Sequence, residues 1–227
     1  MDWQWQEFQQ IGTDYESTEE VAQYDRRMRQ MRDIDGENRN LIERLHLPAQ
    51  AVVLEIGTGT GAFARTVSPC CRQVIAIDIS PVMLEYAAAR AQEEGLNNIE
   101  FRRDGFLSFS TAPNSLDAVV TGLALHHLPD LWKAVALRHL FSWLKPGGRF
   151  ILNDVVFDWK DETPEHYFDR LTQAMDNDSK IPFIRHIAKE YSTLSWIMRG
   201  LLEQTGLIID ADIAVNDFLH IYSCRKP

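Results

Sequence analysis

The sequence predicts an α/β fold, with a mostly parallel sheet that helices cover on both faces. Between residues 50 and 156, short apolar runs rich in valine and isoleucine alternate with longer segments of helical apolar spacing. This alternation is typical of a parallel sheet, because each crossover between strands runs through a helix. The chain of 227 residues is 45% hydrophobic and 25% charged, which fits a globular protein with one main domain.

The elements of this core follow one another in a regular order. Its predicted strands are VVLEI, VIAID, IEFRR, LDAVVT and RFILNDVV, and the helices between them are GAFARTVS, PVMLEYAAARAQEEG and DLWKAVALRHLFSWL. Ser80 followed by Pro81 marks the start of the second helix, and Gly95 marks its end. After a further helix, STLSWIMRGLLEQTG, the runs LIIDADIAV and FLHIYSCRK predict an antiparallel hairpin at the sheet edge.

Two helical segments outside this alternation predict a cap. Residues 1–47 contain two predicted helices, VAQYDRRMRQM and GENRNLIERLHL, and residues 157–189 form a charged, aromatic-rich helical insertion. We therefore expect an N-terminal helical cap at 1–47, a ligand-binding core at 48–156, an insertion of the cap at 157–189, and a last helix with the terminal hairpin at 190–227. Aromatic residues of the cap are expected to close over a ligand or to pack against the core: Trp3, Trp5, Phe8, Tyr15, Tyr24, Trp159, His166, Tyr167 and Phe168.

Composition and charge argue against several classes of protein. The net charge of -10, without a basic stripe, argues against nucleic acid as a partner. No apolar run reaches the roughly 18 residues of a membrane helix, and the N-terminus, MDWQWQEFQQ, lacks the features of a secretory signal. The three cysteines have no metal-ligand spacing, so we expect no metal and a cytoplasmic location. The oligomeric state stays open.

A glycine-rich loop follows the first predicted strand, in EIGTGTGAF. Glycine can adopt positive φ and carries no Cβ, so a ligand can approach the main chain where a parallel strand ends. On its own the loop leaves two interpretations open. Gly57, Gly59 and Ala62, with Asp78 about 20 residues on, satisfy the fingerprint of a dinucleotide-binding fold, and the same residues could form a tight turn without a ligand.

Glu55 interrupts the apolar strand two residues before Gly57. A carboxylate at that depth is destabilising unless a partner compensates its charge. An ammonium group on a ligand is one such partner, and amide groups of the loop are another. A dinucleotide site has no evident use for this acid.

The segment Glu55-Ile56-Gly57-Thr58-Gly59-Thr60-Gly61 resembles the first motif of the class I S-adenosylmethionine-dependent methyltransferases, and LKPGGRFIL resembles the turn before their fifth strand. Among them the chain looks most like the small-molecule, type 11-like enzymes. The resemblance implies a doubly wound, Rossmann-like sheet of seven strands, parallel except for the last, that binds S-adenosylmethionine as cofactor. In this family Asp78 would hold the ribose hydroxyls and Asp104 the adenine amino group. The further positions implied for the cofactor are Glu55, Gly57, Thr58, Gly59, Gly61, Ile79, Met83, Gly105, Phe106, Thr121 and Leu123.

The stretch Leu125-His126-His127-Leu128 resembles an L-x-H-L/V segment of the small-molecule methyltransferases. His126 or His127 could act as a base for a hydroxyl or thiol acceptor, and Asp154 could orient the acceptor. Alternatively, one histidine packs structurally and the other is solvated. A catalytic base is optional, because the sulfonium already activates the methyl group and orientation supplies much of the acceleration. TGLA replaces the Asn/Asp-Pro-Pro-aromatic motif of base and glutamine methylation, which favours a small metabolite.

These observations predict an enzyme that transfers a methyl group to a small molecule by in-line displacement. Two alternatives remain at this point. One is an NAD(P)-dependent oxidoreductase, which the glycine fingerprint supports but which leaves Glu55 and Asp104 unexplained. The other is a module that binds S-adenosylmethionine without transferring its methyl group.

Overall fold

The computed structural model describes residues 3–9, 21, 32–173 and 175–227, and gives no side-chain placement for residues 177 and 178. The predicted helix VAQYDRRMRQM lies outside the described residues except for Val21, as do Tyr15 and Tyr24. Within the described part of the chain, no helix has the length and apolar character needed to cross a membrane.

The described residues form one sheet of eight strands, of which seven lie on a continuous path. In chain order the strands are β1 (Val52–Ile56), β2 (Gln73–Asp78), β3 (Ile99–Arg103), β4 (Leu116–Gly122), β5 (Leu144–Phe157), β6 (Thr193–Leu194), β7 (Ile208–Ala214) and β8 (Leu219–Arg225). Their order across the sheet is β3-β2-β1-β4-β5-β8-β7, and the short β6 pairs with β5. The two pairings of β8, with β5 and with β7, are antiparallel and the other pairings are parallel, so the predicted doubly wound sheet is confirmed.

Helices cover both faces of this sheet. In chain order they are α1 (Ile34–Leu45), α2 (Ala62–Val67), α3 (Pro81–Glu93), α4 (Asp130–Trp143), α5 (Pro164–Gln173), α6 (Asn177–Lys189) and α7 (Ser195–Thr205). The start signal before α3 is confirmed, because Ser80 Oγ accepts a hydrogen bond from the Met83 amide. The insertion at 157–189 is helical as predicted, in α5 and α6.

Strand β1 is buried over its whole length, which explains its nearly continuous apolar sequence. Leu54 and Ile56 belong to the core on one face of the sheet, with residues of α4 and α7. Val53 belongs to the core on the opposite face, with residues of α1 and α2. Burying each such side chain contributes about 1.5–3 kcal/mol to folding. Glu55, two residues after Val53 on the same face, is therefore a carboxylate inserted into this second core.

The strand order places a crevice at the carboxyl end of β1. The chain moves outward from β1 to β2 and β3, then returns to place β4 on the other side of β1. Loops that leave β1 and β4 therefore diverge to opposite faces, and ligands of open α/β sheets bind at this point of reversal. The glycine-rich loop and the His126-His127 segment both lie there.

Candidate functional site

A cleft of about 260 Å³ opens at the carboxyl ends of β1 to β5. It brings together Glu55 after β1, Asp78 after β2 and Asp104 after β3, as the sequence predicts. The predicted residues Gly57, Thr58, Gly59, Ile79, Met83, Gly105, Phe106, Leu123 and His127 also line this cleft. Four predicted residues do not line it: Gly61, Thr121, His126 and Asp154.

The glycine-rich loop exposes bare main chain to the cleft at Gly59. This residue has φ 52°, and a Cβ built on it would meet no heavy atom within 4 Å. Gly61 serves another purpose, because its φ is 73° and a Cβ there would lie 2.8 Å from the Cβ of Ala87. The prediction that Gly61 contacts the cofactor is therefore replaced by a packing role: its missing side chain lets the start of α2 approach α3.

Glu55 lies at the bottom of the cleft with 6% of its surface exposed. Its Oε2 accepts a hydrogen bond of 2.6 Å from Thr58 Oγ1. Burial raises the pKa of Glu55 to about 8, because this hydrogen bond only partly compensates the lost hydration of the carboxylate. Arg65 in α2, whose charge opposes the rise in the pKa of Glu55, is itself bonded to Glu94 and to the Thr60 carbonyl. Glu55 therefore lacks a cation at hydrogen-bond distance in the described residues, and the open cleft is where one can enter.

Asp78 holds the glycine-rich loop and the start of α3 together. Its Oδ2 accepts a hydrogen bond of 2.8 Å from the Gly59 amide, and its Oδ1 accepts one of 2.9 Å from the Ser80 amide. Burial raises the pKa of Asp78, and these backbone hydrogen bonds oppose the rise. Each carboxylate oxygen can accept a second hydrogen bond, so the side chain can still bind a pair of ligand hydroxyls in the cleft.

Asp104 is paired at 2.8 Å with Nη2 of Arg102, and a residue from the N-terminal segment covers the loop that follows it. Glu7 accepts a hydrogen bond of 2.9 Å from the Leu107 amide. A Cβ on Gly105 would lie 2.4 Å from the Glu7 carboxylate, so glycine is required for this close approach. Sequence analysis did not identify Glu7 as a cleft residue, because the contact joins positions 100 residues apart and no local motif signals it.

Asn153 is a cleft residue that sequence analysis also missed. It is 5% exposed, lines the cleft, and its Oδ1 has no hydrogen-bond partner among the described residues. A buried amide oxygen without a partner is costly, so it indicates a position where a ligand donor completes the hydrogen bonding. The sequence prediction chose Asp154 instead, but adjacent strand residues point to opposite faces, and Asp154 faces away from the cleft.

Asp154 and His126 form a buried pair behind the cleft wall. The two carboxylate oxygens of Asp154 lie 2.5 Å from His126 Nδ1 and 3.0 Å from the His126 amide nitrogen. His126 Nε2 lies 3.1 Å from Glu190 Oε2. Neither residue reaches the cleft, so the predictions that His126 is the base and that Asp154 orients the acceptor are not supported by the geometry.

The pKa values of these groups follow from the same contacts. Burial alone would lower the pKa of His126, but the charge and hydrogen bond of Asp154, together with Glu190, raise it to about 9. Burial and the neighbouring charge of His126 lower the pKa of His127 to about 4. Burial would raise the pKa of Asp154 and of Glu190, but their histidine partners hold both below the ordinary values. Of the two histidines, His127 is the neutral one and lies in the cleft wall.

Two further predicted residues, Thr121 and Leu123, flank this wall. Thr121 is fully buried beneath the cleft, and its Oγ1 has no hydrogen-bond partner among the described residues. Leu123 lines the cleft with φ 54°, a left-handed conformation that is unusual for leucine. Its amide donates to the Asn153 carbonyl at 2.8 Å, which helps to fix the strained turn against β5.

Comparison with known proteins is consistent with this geometry. Residues 53–148 match the family model of a methyltransferase domain. YcgJ, an uncharacterized methyltransferase of Bacillus subtilis (strain 168), is 36% identical over 121 residues, which are 53% of this chain and 47% of that protein. The crystal structure of YcgJ superimposes with a TM-score of 0.66 over 85% of this chain and 98% of that one, at 20% identity. By these likenesses, residues 53–148 form a methyltransferase domain, and the chain has the fold of solved S-adenosylmethionine-dependent methyltransferases.

Two further relatives of this methyltransferase extend the likeness beyond its core. An uncharacterized methyltransferase of Geobacillus kaustophilus, GK2543, is 28% identical in an alignment that covers 87% of this chain and 96% of that protein. A SAM dependent methyltransferase from Aquifex aeolicus superimposes with a TM-score of 0.65, at 19% identity, over 93% of this chain and 99% of that one. The alignment with YcgJ spans about half the length of that relative. The likeness to methyltransferases disfavours the NAD(P)-dependent oxidoreductase as an alternative.

Proposed function

We propose that this chain transfers the methyl group of S-adenosylmethionine to a small-molecule acceptor. The observation that carries the proposal is the arrangement of Glu55, Asp78 and Asp104 along one cleft, at the ends of three adjacent strands. One extended ligand with an amino group, a vicinal diol and a purine amino group would meet all three acids in turn. S-adenosylmethionine has these groups in this order.

The residues present fit this cofactor. Glu55 is a buried carboxylate that no cation of the described residues reaches at hydrogen-bond distance, which suits the ammonium of the methionine end. Gly59 leaves open space against the main chain, which suits a sugar near Asp78. Met83 and Phe106 are buried apolar residues of the same cleft and suit a purine beside Asp104. The orphaned Asn153 Oδ1 adds an acceptor on the methionine side, on the same face of the sheet as Glu55.

The remaining part of the cleft is suited to a small acceptor. Trp5, Leu123, Leu128 and His127 provide its apolar and imidazole walls. Trp5 lies edge-on against Tyr191 at 5.5 Å, so the N-terminal segment closes this side. Residues 3–9 and α1 line the cleft from above, which supports residues 1–47 as a cap. This arrangement supports an acceptor small enough to fit beneath the cap and disfavours a long polymer.

The protein's contribution to the chemistry is to bind, orient and exclude water. The bound cofactor supplies an activated methyl group. The turn at Leu123, with its positive φ, and the hydrogen bond from the His126 amide to Asp154 hold the cleft wall that would contact the acceptor. Correct orientation of two reactants contributes roughly 7–11 kcal/mol in favourable cases. His127 is the one candidate catalytic histidine that lines the cleft, where its ring can hydrogen-bond to an acceptor hydroxyl or amine.

We also propose a cytoplasmic location. All three cysteines are free, although Cys70 and Cys71 are adjacent and Cys70 is exposed. Exposed free thiols persist in a reducing compartment.

Titration calorimetry tests the cofactor assignment directly. We expect S-adenosylhomocysteine to bind with one site per chain and NADH not to bind. Glu55→Gln should weaken S-adenosylhomocysteine binding at least tenfold, because it removes the charge that faces the ammonium. Glu100→Gln, which changes an exposed glutamate on β3, is the matched control and should bind as the wild type does. Equal affinities of the two variants would remove Glu55 from the site.

A radiolabelled-methyl assay over a metabolite extract tests the transfer. We expect label in low-molecular-weight products and none in added nucleic acid or protein. His127→Phe should lower turnover while S-adenosylhomocysteine affinity stays within threefold, since the ring contacts only the acceptor part of the cleft. Cofactor binding without any labelled product would favour the non-catalytic binding module.

A further inference from the structure

Behind the cleft wall, three side chains from two segments of the chain converge on one point. His126 comes from the turn after β4, His186 from α6, and Glu190 from the residue after α6. The nitrogen and oxygen atoms that these residues can offer to a metal ion all lie within 4.8 Å of one another. The side chains are nearly buried, with 7%, 14% and 9% of their surfaces exposed.

The second nitrogen of each imidazole already has a partner. Nδ1 of His126 lies 2.5 Å from Asp154 Oδ1, and Nε2 of His186 lies 2.6 Å from Ser192 Oγ. The other nitrogen of each ring is directed at the same atom, Glu190 Oε2, at distances of 3.1 and 2.5 Å. Metal-binding histidines have this pattern, because an oxygen on the far nitrogen fixes the orientation of the ring and the near nitrogen binds the ion.

Charge leads to the same conclusion. Asp154 and Glu190 bring two carboxylates into a region that is nearly closed to water. A single divalent cation between the two rings would supply a charge of +2 that compensates both carboxylates. Two histidines and one carboxylate are a ligand set that suits zinc and its first-row neighbours.

We propose that His126, His186 and Glu190 bind one divalent first-row transition-metal ion, with Asp154 and Ser192 as the residues that orient the two histidines. In a tetrahedral zinc site the ligand atoms lie about 3.3 Å apart, given bonds of roughly 2.0–2.1 Å. The His126–Glu190 distance is already close to this, and the His186–Glu190 pair must open by less than 1 Å. The ion would join the inserted helix α6 to the core turn that carries the cleft wall.

The test is a titration of the full chain with Co²⁺ after treatment with a chelator, followed by absorption between 500 and 650 nm. We expect one ion per chain and displacement by one equivalent of Zn²⁺. His186→Ala should weaken binding at least 100-fold. The matched control is His166→Ala, which removes a histidine from an exposed i,i+4 pair with Glu162 and should leave binding unchanged.

A milder variant keeps the test valid if His186→Ala does not fold. Ser192→Ala removes only the partner of the distal nitrogen and should weaken Co²⁺ binding 10- to 100-fold. The readout is metal binding and not methyl transfer, so it stands apart from the proposed function. Absence of stoichiometric binding, or equal binding by the wild type and Ser192→Ala, would overturn the site and leave the cluster as an ion-pair network.

Discussion

Binding of the cofactor should release a proton from Glu55, and the pKa of this residue gives the number of protons released per site. Burial raises the pKa of this carboxyl to about 8 in the free protein, so about nine molecules in ten carry the proton at pH 7. An ammonium placed against the carboxylate would return its pKa towards the ordinary value of 4.5, where almost none carries it. We therefore expect release of about 0.9 proton per site at pH 7, and about 0.1 at pH 9.

Calorimetry in buffers of different ionisation enthalpy measures this number. S-adenosylhomocysteine is titrated at pH 7 in phosphate and in Tris, and the slope of observed enthalpy against buffer ionisation enthalpy gives the protons exchanged. Glu55→Gln should reduce the slope to near zero, whereas Glu100→Gln should keep it. Because the free protein must lose its proton before the ion pair forms, wild-type affinity should rise about tenfold between pH 7 and pH 9, apart from deprotonation of the ligand amine. A zero slope for the wild type would refute the claim that Glu55 is protonated in the free protein and loses its proton when the ligand ammonium binds.

Three further outcomes follow from residues in and around the cleft. Gly61→Ala should lower the free energy of unfolding in urea by about 1–3 kcal/mol more than Gly95→Ala, since both have positive φ but only Gly61 faces a neighbouring Cβ. Asn153→Leu should bind S-adenosylhomocysteine at least tenfold more weakly without loss of stability, because it removes an amide oxygen that has no hydrogen-bond partner in the described part of the chain. Thr121→Val, which removes a similar orphan outside the cleft, should leave binding unchanged, and an equal loss in both variants would contradict this assignment. Glu55→Gln should increase the free energy of unfolding by a few kcal/mol at pH 9 and hardly at pH 5, because the unfolded carboxyl titrates near 4.5 and the folded one near 8, so wild-type stability falls across that window.

The sequence predicted the strands and the acids at their ends because both depend on local patterns. Strands β1 and β2 are almost entirely apolar, so Glu55 and Asp78 are conspicuous as charges near their ends, whereas Asp104 follows the charged strand β3 and was identified through the resemblance alone. The resemblance to a known motif then assigned each acid to one part of the same ligand. The topology brings them together because β1, β2 and β3 are neighbours in the sheet.

Sequence analysis misassigned or missed cleft residues where their position depends on the direction of a side chain or on a contact between distant segments. Asp154 and Asn153 are adjacent polar residues at the end of β5, and only the register of the strand determines which one faces the cleft. Glu7 and Glu190 reach the core from segments far away in the chain, and nothing in their local sequence marks these contacts. The motif Leu125-His126-His127-Leu128 correctly predicts the turn after β4, but it does not show which of the two histidines is buried behind the cleft wall and which lines the cleft.

The position of β8 has a consequence for how the chain assembles. This strand runs between β5 and β7, so a strand that is synthesised after β1 to β7 occupies an interior place in the sheet. Strands β1 to β4, which carry the ligand cleft, can pair with one another while β8 is still within the ribosome. Until Leu219 to Arg225 arrive, the outer edge of β5 presents unpaired amides and carbonyls along most of its length, an edge to which other nascent chains can add. Premature termination just before β8 should therefore give aggregates instead of a smaller folded enzyme.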